Sequence, residues 1–98
     1  MLRMTAAITI AAGSTTIAEA FSIYRQGADH IVAVSDDEIA EAMRIYYCDT
    51  HSLSEGAGAA PLAALLQERE TIQGKRVAVI LSGGNVDMSV YADVINDK

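Results

Sequence analysis

Two short stretches hold the side chains whose types and order could do chemistry: "SGGN", residues 82–85, and "SEGAG", residues 54–58. In the first, Ser82 offers a hydroxyl that can donate and accept, and Asn85 an amide. Between them, Gly83 and Gly84 let backbone approach a ligand closely. The stretch follows "VAVIL", residues 77–81, an apolar run too short for a helix and without alternation. Such a run predicts a strand buried on both faces, as parallel sheets use, and loops at the carboxyl ends of those strands are where open α/β sheets bind ligands. Spacing alone favours a plainer role, a strand-to-helix turn in which Asn85 caps the following helix, "VDMSVYADVI".

The second stretch carries Glu55. A carboxylate at a helix start ordinarily faces water, though one held in a cleft could serve as an acid or base. Gly56 and Gly58 begin a G-x-G-x-x-G/A pattern, but its last position is Pro61, no strand precedes it and no acidic ribose ligand follows at the required distance. A small-residue helix start pressed against a neighbour is the better reading. Cys48 and His51 lie three apart without a third metal ligand, which leaves Cys48 as a small hydrophobe and His51 as a loop residue. Ser82, His30 and His51 make no hydrolase triad, because no Gly-x-Ser-x-Gly elbow occurs.

The elements that must position these residues alternate. "IAEAFSIYRQGA" predicts a helix with Ile17, Ala20, Phe21 and Tyr24 on one stripe and a stop at Gly27. "HIVAVS" predicts a short β-branched strand. In "SDDEIAEAMRIYYCDTH", Ser35 can cap a helix, Glu38 can reach back to it, and Asp36 and Asp37 suit the positive end of the dipole. Ile39, Ala42, Met43 and Tyr46 are its expected buried stripe. A further helix has Leu62, Leu65 and Leu66 as its packing face; Pro61 belongs in a first turn, so regular helix is expected from about Ala59, with Gly74 ending the segment. Glu68, Arg69 and Glu70 read as a solvated face. The order helix, strand, helix, helix, strand, helix predicts an α/β fold, with "AAITIA" as a possible third strand. So few strands make a poor parallel sheet, so the domain is expected to be small and fragment-like.

Composition narrows the function classes. Ninety-eight residues make one domain at most, and 13 acidic against 7 basic side chains, with no basic cluster, exclude nucleic acid and anionic membranes as natural partners. No apolar run approaches membrane-spanning length, and "TAAITIAA" is too short to read as a secretory leader, so the expected location is cytoplasmic. The lone Cys48 fits a reducing compartment. A hydrophobic fraction of 51% hints at apolar surface that needs a partner.

Taken in order, "IVAVSDDEIAEAMR", "DTHSLSEGAGAAPLAALL" and "GKRVAVILSGGNVD" resemble the carboxyl-terminal part of the catalytic domain of threonine and serine dehydratases and serine racemases, pyridoxal phosphate enzymes of fold type II. The resemblance runs from about Ile17 to Val90; residues 1–16 match nothing recognised, which divides the chain into an unmatched segment, 1–16, and a dehydratase-like segment, 17–98. It implies that Ser82 hydrogen-bonds the pyridine nitrogen of the cofactor, that Gly83 and Gly84 pass close to the ring with Asn85 completing the loop, and that Glu55 lies beside the cofactor. A neutral hydroxyl does not force that nitrogen to stay protonated, which suits β-elimination of water from serine or threonine.

The family's catalytic lysine, in a Ser-x-Lys-x-Arg-Gly motif, and its four-glycine phosphate loop have no counterpart here; the only lysines are Lys75 and Lys98. The expectation is a truncated dehydratase homologue that keeps one wall of a cofactor site, is inactive alone and binds pyridoxal phosphate poorly if at all. The alternative is a self-associating or partner-docking module without enzymatic role. Expected partners are a second copy or a complementary or full-length dehydratase polypeptide.

Overall fold

The computed structural model describes residues 7–11, 18, 22, 25, 26 and 30–97. The first strand, β1 (Ala7–Ala11), comes from the stretch read above as a possible third strand. It pairs in parallel with β2 (His30–Val34), in register from Ala7 opposite His30 to Ala11 opposite Val34. In β2, Val32 and Val34 are buried while Ile31 and Ala33 are exposed, so one face of the strand meets the core. The backbone at Ala18, Ser22, Arg25 and Gln26 is helical. The expected stripe of Ile17, Ala20, Phe21 and Tyr24, and the stop at Gly27, lie outside the described residues.

Helix α1 (Asp36–Ile45) starts as its sequence dictates. Glu38 N donates to Ser35 Oγ at 3.2 Å, and Ser35 N donates back to Glu38 Oε2 at 2.7 Å, closing a capping box. Gln67 Nε2 adds a donor to the Glu38 carboxylate at 3.2 Å and also reaches Ala33 O at 3.0 Å, tying helix, strand and the next helix together. The Ser35 amide first, and then Gln67, hold the Glu38 carboxyl below the usual carboxylate range. Ile39, Ala42 and Met43 are buried, and Tyr46 packs on the same core. The helix widens into one π turn, Tyr46–Thr50, and stops at His51, which takes the left-handed conformation at φ 55°.

Helix α2 (Gly56–Gln67) lies against α1 and the sheet. It begins at Gly56, earlier than the proline suggested: Ala59 N already donates to Glu55 O at 3.0 Å, so Pro61 sits inside the helix. Near the helix start, its missing N–H removes a single ladder bond. The buried face is made of Ala59, Ala60, Ala63 and Ala64, whereas Leu62, Leu65 and Leu66 are only half-buried. Small side chains win because this helix approaches its neighbours closely, and the leucines are left on the flank. At its end Glu68 accepts a hydrogen bond from His30 at 2.8 Å, so this residue of the expected solvated face bridges to β2.

The last helix, α3 (Met88–Ile95), is capped by Asp87, with no side-chain cap bond, and not by Asn85. Arg44 of α1 donates to Val94 O at 3.0 Å and pairs with Glu41 at 3.0 Å, which fixes the end of α3 against α1.

The largest departure from the sequence reading is at 77–81. "VAVIL" is not a strand: it is non-helical and unpaired among the described residues, with Val77 48% and Ile80 76% exposed. A strand buried on both faces needs neighbours on its edges and sheet layers around it. Here the described sheet has two strands, and those pair with each other. Among the described residues the architecture is α/β, two parallel strands with helical residues between them and then helices in succession, and the 77–81 run lies on its outside.

Candidate functional site

The two stretches singled out by residue type meet. Glu55, the residue before α2, donates its backbone N–H to Gly83 O at 3.0 Å. A side chain at Gly58 would place its Cβ 2.6 Å from that same carbonyl oxygen, which no real Cβ tolerates. On the other side of the loop, a Cβ at Gly84 would lie 2.9 Å from Leu53 O. A Cβ at Gly83 would collide with the Glu55 carboxylate, which fills the space a side chain would take. Gly58 and Gly84 are thus needed for packing backbone on backbone, before any ligand is considered, whereas at Gly83 the neighbour is the end of a flexible side chain. The small-residue helix start was expected to press against a neighbour, and Gly58 does; what sequence reasoning missed is that the neighbour is a loop so far along the chain.

Ser82 and Asn85 are exposed, and among the described residues neither side chain makes a hydrogen bond. Glu55 is half-buried, with its carboxylate held on Gly83 rather than used as a cap for α2. A negative charge there is favoured by the amino-terminal dipole of the helix. Ser54, immediately before it, is fully buried, and its Oγ has no partner among the described residues. The arrangement is a braced loop that presents one neutral hydroxyl and one amide to its surroundings. Lys75 lies at the opposite end of the 76–81 run from Ser82, so the chain's one described lysine does not belong to this loop.

Other chemistry-bearing residues stand apart from it. Cys48 is exposed, not a packed small hydrophobe, because the π turn carries it outward; His51 is the residue that ends that turn. Tyr46 and Tyr91 bury their hydroxyls without partners among the described residues, and burial raises the pKa of both. Tyr91 also meets Tyr47 edge-on, with ring centroids 6.5 Å apart. An open groove of about 410 Å³ runs between α1 and α2, lined by Asp37, Glu41, Leu66 and Arg69 among others, and none of residues 82–85 or Glu55 borders it. Among the described residues, no helix is long and apolar enough to cross a membrane.

A model of the family described as "Pyridoxal-phosphate dependent enzyme" matches residues 2–83, taking in most of residues 1–16, for which the sequence reading found no counterpart. The L-threonine ammonia-lyase of Thermotoga maritima is 37% identical over 76 residues, covering 78% of this chain and 19% of that protein. Among solved structures, the T.th. threonine deaminase matches with a TM-score of 0.65 and 37% identity over 72% of this chain and 26% of that one. The serine racemase of Dictyostelium discoideum matches with a TM-score of 0.68 and 35% identity, over 76% and 25% respectively. The chain therefore spans about a fifth to a quarter of the length of these relatives.

Proposed function

Because the chain belongs to the pyridoxal-phosphate dependent enzyme family, we propose that it supplies the ring-facing wall of a cofactor site and does not catalyse a reaction by itself. One observation carries this reading: Ser82 stands exposed, without a hydrogen-bond partner among the described residues, on a loop that Glu55, Gly58 and Leu53 brace. A pyridine nitrogen needs a single polar partner in the ring plane, and a hydroxyl provides one without imposing a charge. The donor set thus fits the ring of pyridoxal phosphate. It offers nothing built for the phosphate, which calls for a nest of backbone amides.

When bound, the cofactor supplies an electron sink for the α-carbon of an amino acid. This chain's residues do the holding. Ser82 Oγ would contact the ring nitrogen and leave it free to lack a proton, Asn85 would border the ring from the same loop, and Glu55 holds Gly83 while Leu53 packs on Gly84. The substrates that suit this ring environment are hydroxy amino acids such as serine and threonine, with β-elimination as the reaction. Such a reaction also needs a lysine and a phosphate loop, and neither is found among the residues that form this wall.

The test is a titration with pyridoxine phosphate, which keeps ring and phosphate but has no aldehyde to react with lysines. Weak, saturable binding is expected, reduced about 2- to 10-fold in Ser82→Ala, the range of one hydrogen bond. Release of keto acid from serine or threonine by the purified chain would overturn the inactive-alone part, and affinity indifferent to Ser82 would overturn the wall.

A second reading, a self-associating module without enzymatic role, is favoured by the exposed apolar run at 77–80.

A further inference from the structure

The basic side chains of the described residues fall into two groups. Arg25 lies on helical backbone, Arg44 sits in α1 with its guanidinium on Glu41 and Val94 O, and Arg69 lies in the turn after α2 with Nη1 donating to Leu66 O at 2.8 Å. Lys75 and Arg76 instead open an irregular segment, 75–87, in which residues 75–78 are all exposed. Among the described residues neither of their side chains makes a hydrogen bond or an ion pair. The backbone is as open as the side chains. Lys75 N donates to Ile72 O at 3.0 Å, closing a turn in which Gly74 has φ 77°. From Arg76 to Ser82 no backbone N–H or C=O has a backbone partner among the described residues.

We propose that the Arg76–Val77 bond is a processing site for endoproteases whose primary pocket is anionic. The proposal rests on neither the cofactor nor the self-association reading. A bound peptide substrate lies extended, like an added strand, with successive side chains on opposite faces. With Arg76 in the pocket its guanidinium makes a two-pronged pair with a carboxylate, and Lys75 points away. The seated stretch is then 74–78, of which residues 76–78 already lie outside the turn. Gly74 has to leave its left-handed conformation, and glycine reaches extended backbone without a side-chain penalty. Lys75 in the pocket would shift the seated stretch to 73–77 and draw Gln73 out of the turn as well. Both the charge geometry and the backbone thus select the bond after Arg76. Hydrolysis breaks its C–N bond: the oxygen of water joins the Arg76 carbonyl carbon, leaving a carboxylate, and the protons of water complete an ammonium on the Val77 nitrogen. The piece from Val77 onward carries residues 82–85 and α3, and α3 has no buried residue to hold it. A helix of eight residues is marginal by itself, so the cut releases the loop from Glu55.

Limited digestion of the full chain with trypsin, followed in time by intact-mass spectrometry, tests this on wild type, Lys75→Gln and Arg76→Gln, with circular dichroism to show that the variants keep their helix content. Among the bonds after Arg25, Arg44, Arg69, Lys75 and Arg76, the one after Arg76 is cut first. It is cut about 100-fold faster than those after Arg44 and Arg69, where helix or turn must first open locally. Lys75→Gln leaves that rate within about 3-fold, because the side chain points away from the pocket. Arg76→Gln abolishes it and leaves a cut after Lys75 that is about 3- to 10-fold slower, the cost of opening more of the turn. On size exclusion the cut protein parts from the piece that begins at Val77. Equal rates after Arg44, Arg69 and Arg76 would mean that cutting follows global unfolding and would overturn the site, as would a first cut after Arg25. A wild-type cut after Lys75 as fast as that after Arg76 would overturn the choice of bond. Co-elution of the two pieces would overturn the release of the loop while the site itself stands.

Discussion

Gly58 and Ser82 illustrate two opposite kinds of legibility at the scale of single residues. Ser82 could be picked out because its neighbours, two glycines and an asparagine after an apolar run, are an unusual set. Its exposure in the folded chain means that Ser82→Ala should leave stability within about 0.5 kcal/mol of wild type while weakening ring binding. Urea denaturation beside the titration separates the two effects. Gly58 was legible only as part of a small-residue helix start pressed on a neighbour, because sequence distance hides that the neighbour is Gly83. Gly58→Ala should cost about 1–3 kcal/mol, the range for overpacking, since the obstacle at 2.6 Å is backbone and cannot swing away. A stability equal to wild type in chemical denaturation would mean that the contact between "SGGN" and the start of α2 is not as close as described. The exposure of Cys48 escaped the sequence for a related reason: the π turn that carries it outward is not written in local propensity.

At the scale of elements, the start of α1 was readable to the residue because every group that makes it lies within four positions. Ser35→Ala should destabilise the protein by about 1 kcal/mol, measured by thermal unfolding. The same cap sets a pH dependence. Glu38 has a depressed folded-state pKa, so its contribution is present above the unfolded value of about 4.3 and is lost as pH falls through the folded value. Stability should thus fall on acidification below about pH 4.3, and less steeply in Glu38→Gln; equal slopes for the two proteins in urea titrations between neutral and acid pH would remove the role given to this carboxylate. The 77–81 run failed as a strand for the converse reason. Whether an apolar stretch is a strand depends on what pairs with it, and composition carries no information about a neighbour that the described sheet does not provide. The burial of alanines rather than leucines in α2 is also a property of the neighbours, set by how closely the helix approaches them.

At the scale of the whole molecule, the chain spans about a fifth to a quarter of its relatives' length. The α/β class and the family were legible because three stretches in order survive any uncertainty over single elements. The close packing of residues 82–85 on the start of α2 was not, because it joins stretches far apart in sequence. If copies cover each other's exposed runs, the midpoint of thermal unfolding should rise with protein concentration, and a midpoint constant from 1 to 100 μM would argue for a self-sufficient monomer. The central claim, that the braced loop at 82–85 faces a pyridine ring, is met most directly by amide chemical-shift mapping with pyridoxine phosphate. The account predicts perturbations at residues 82–85 and Glu55, with α1 unaffected and the response lost in Ser82→Ala. Perturbations confined to other surfaces, or unchanged in that variant, would contradict it.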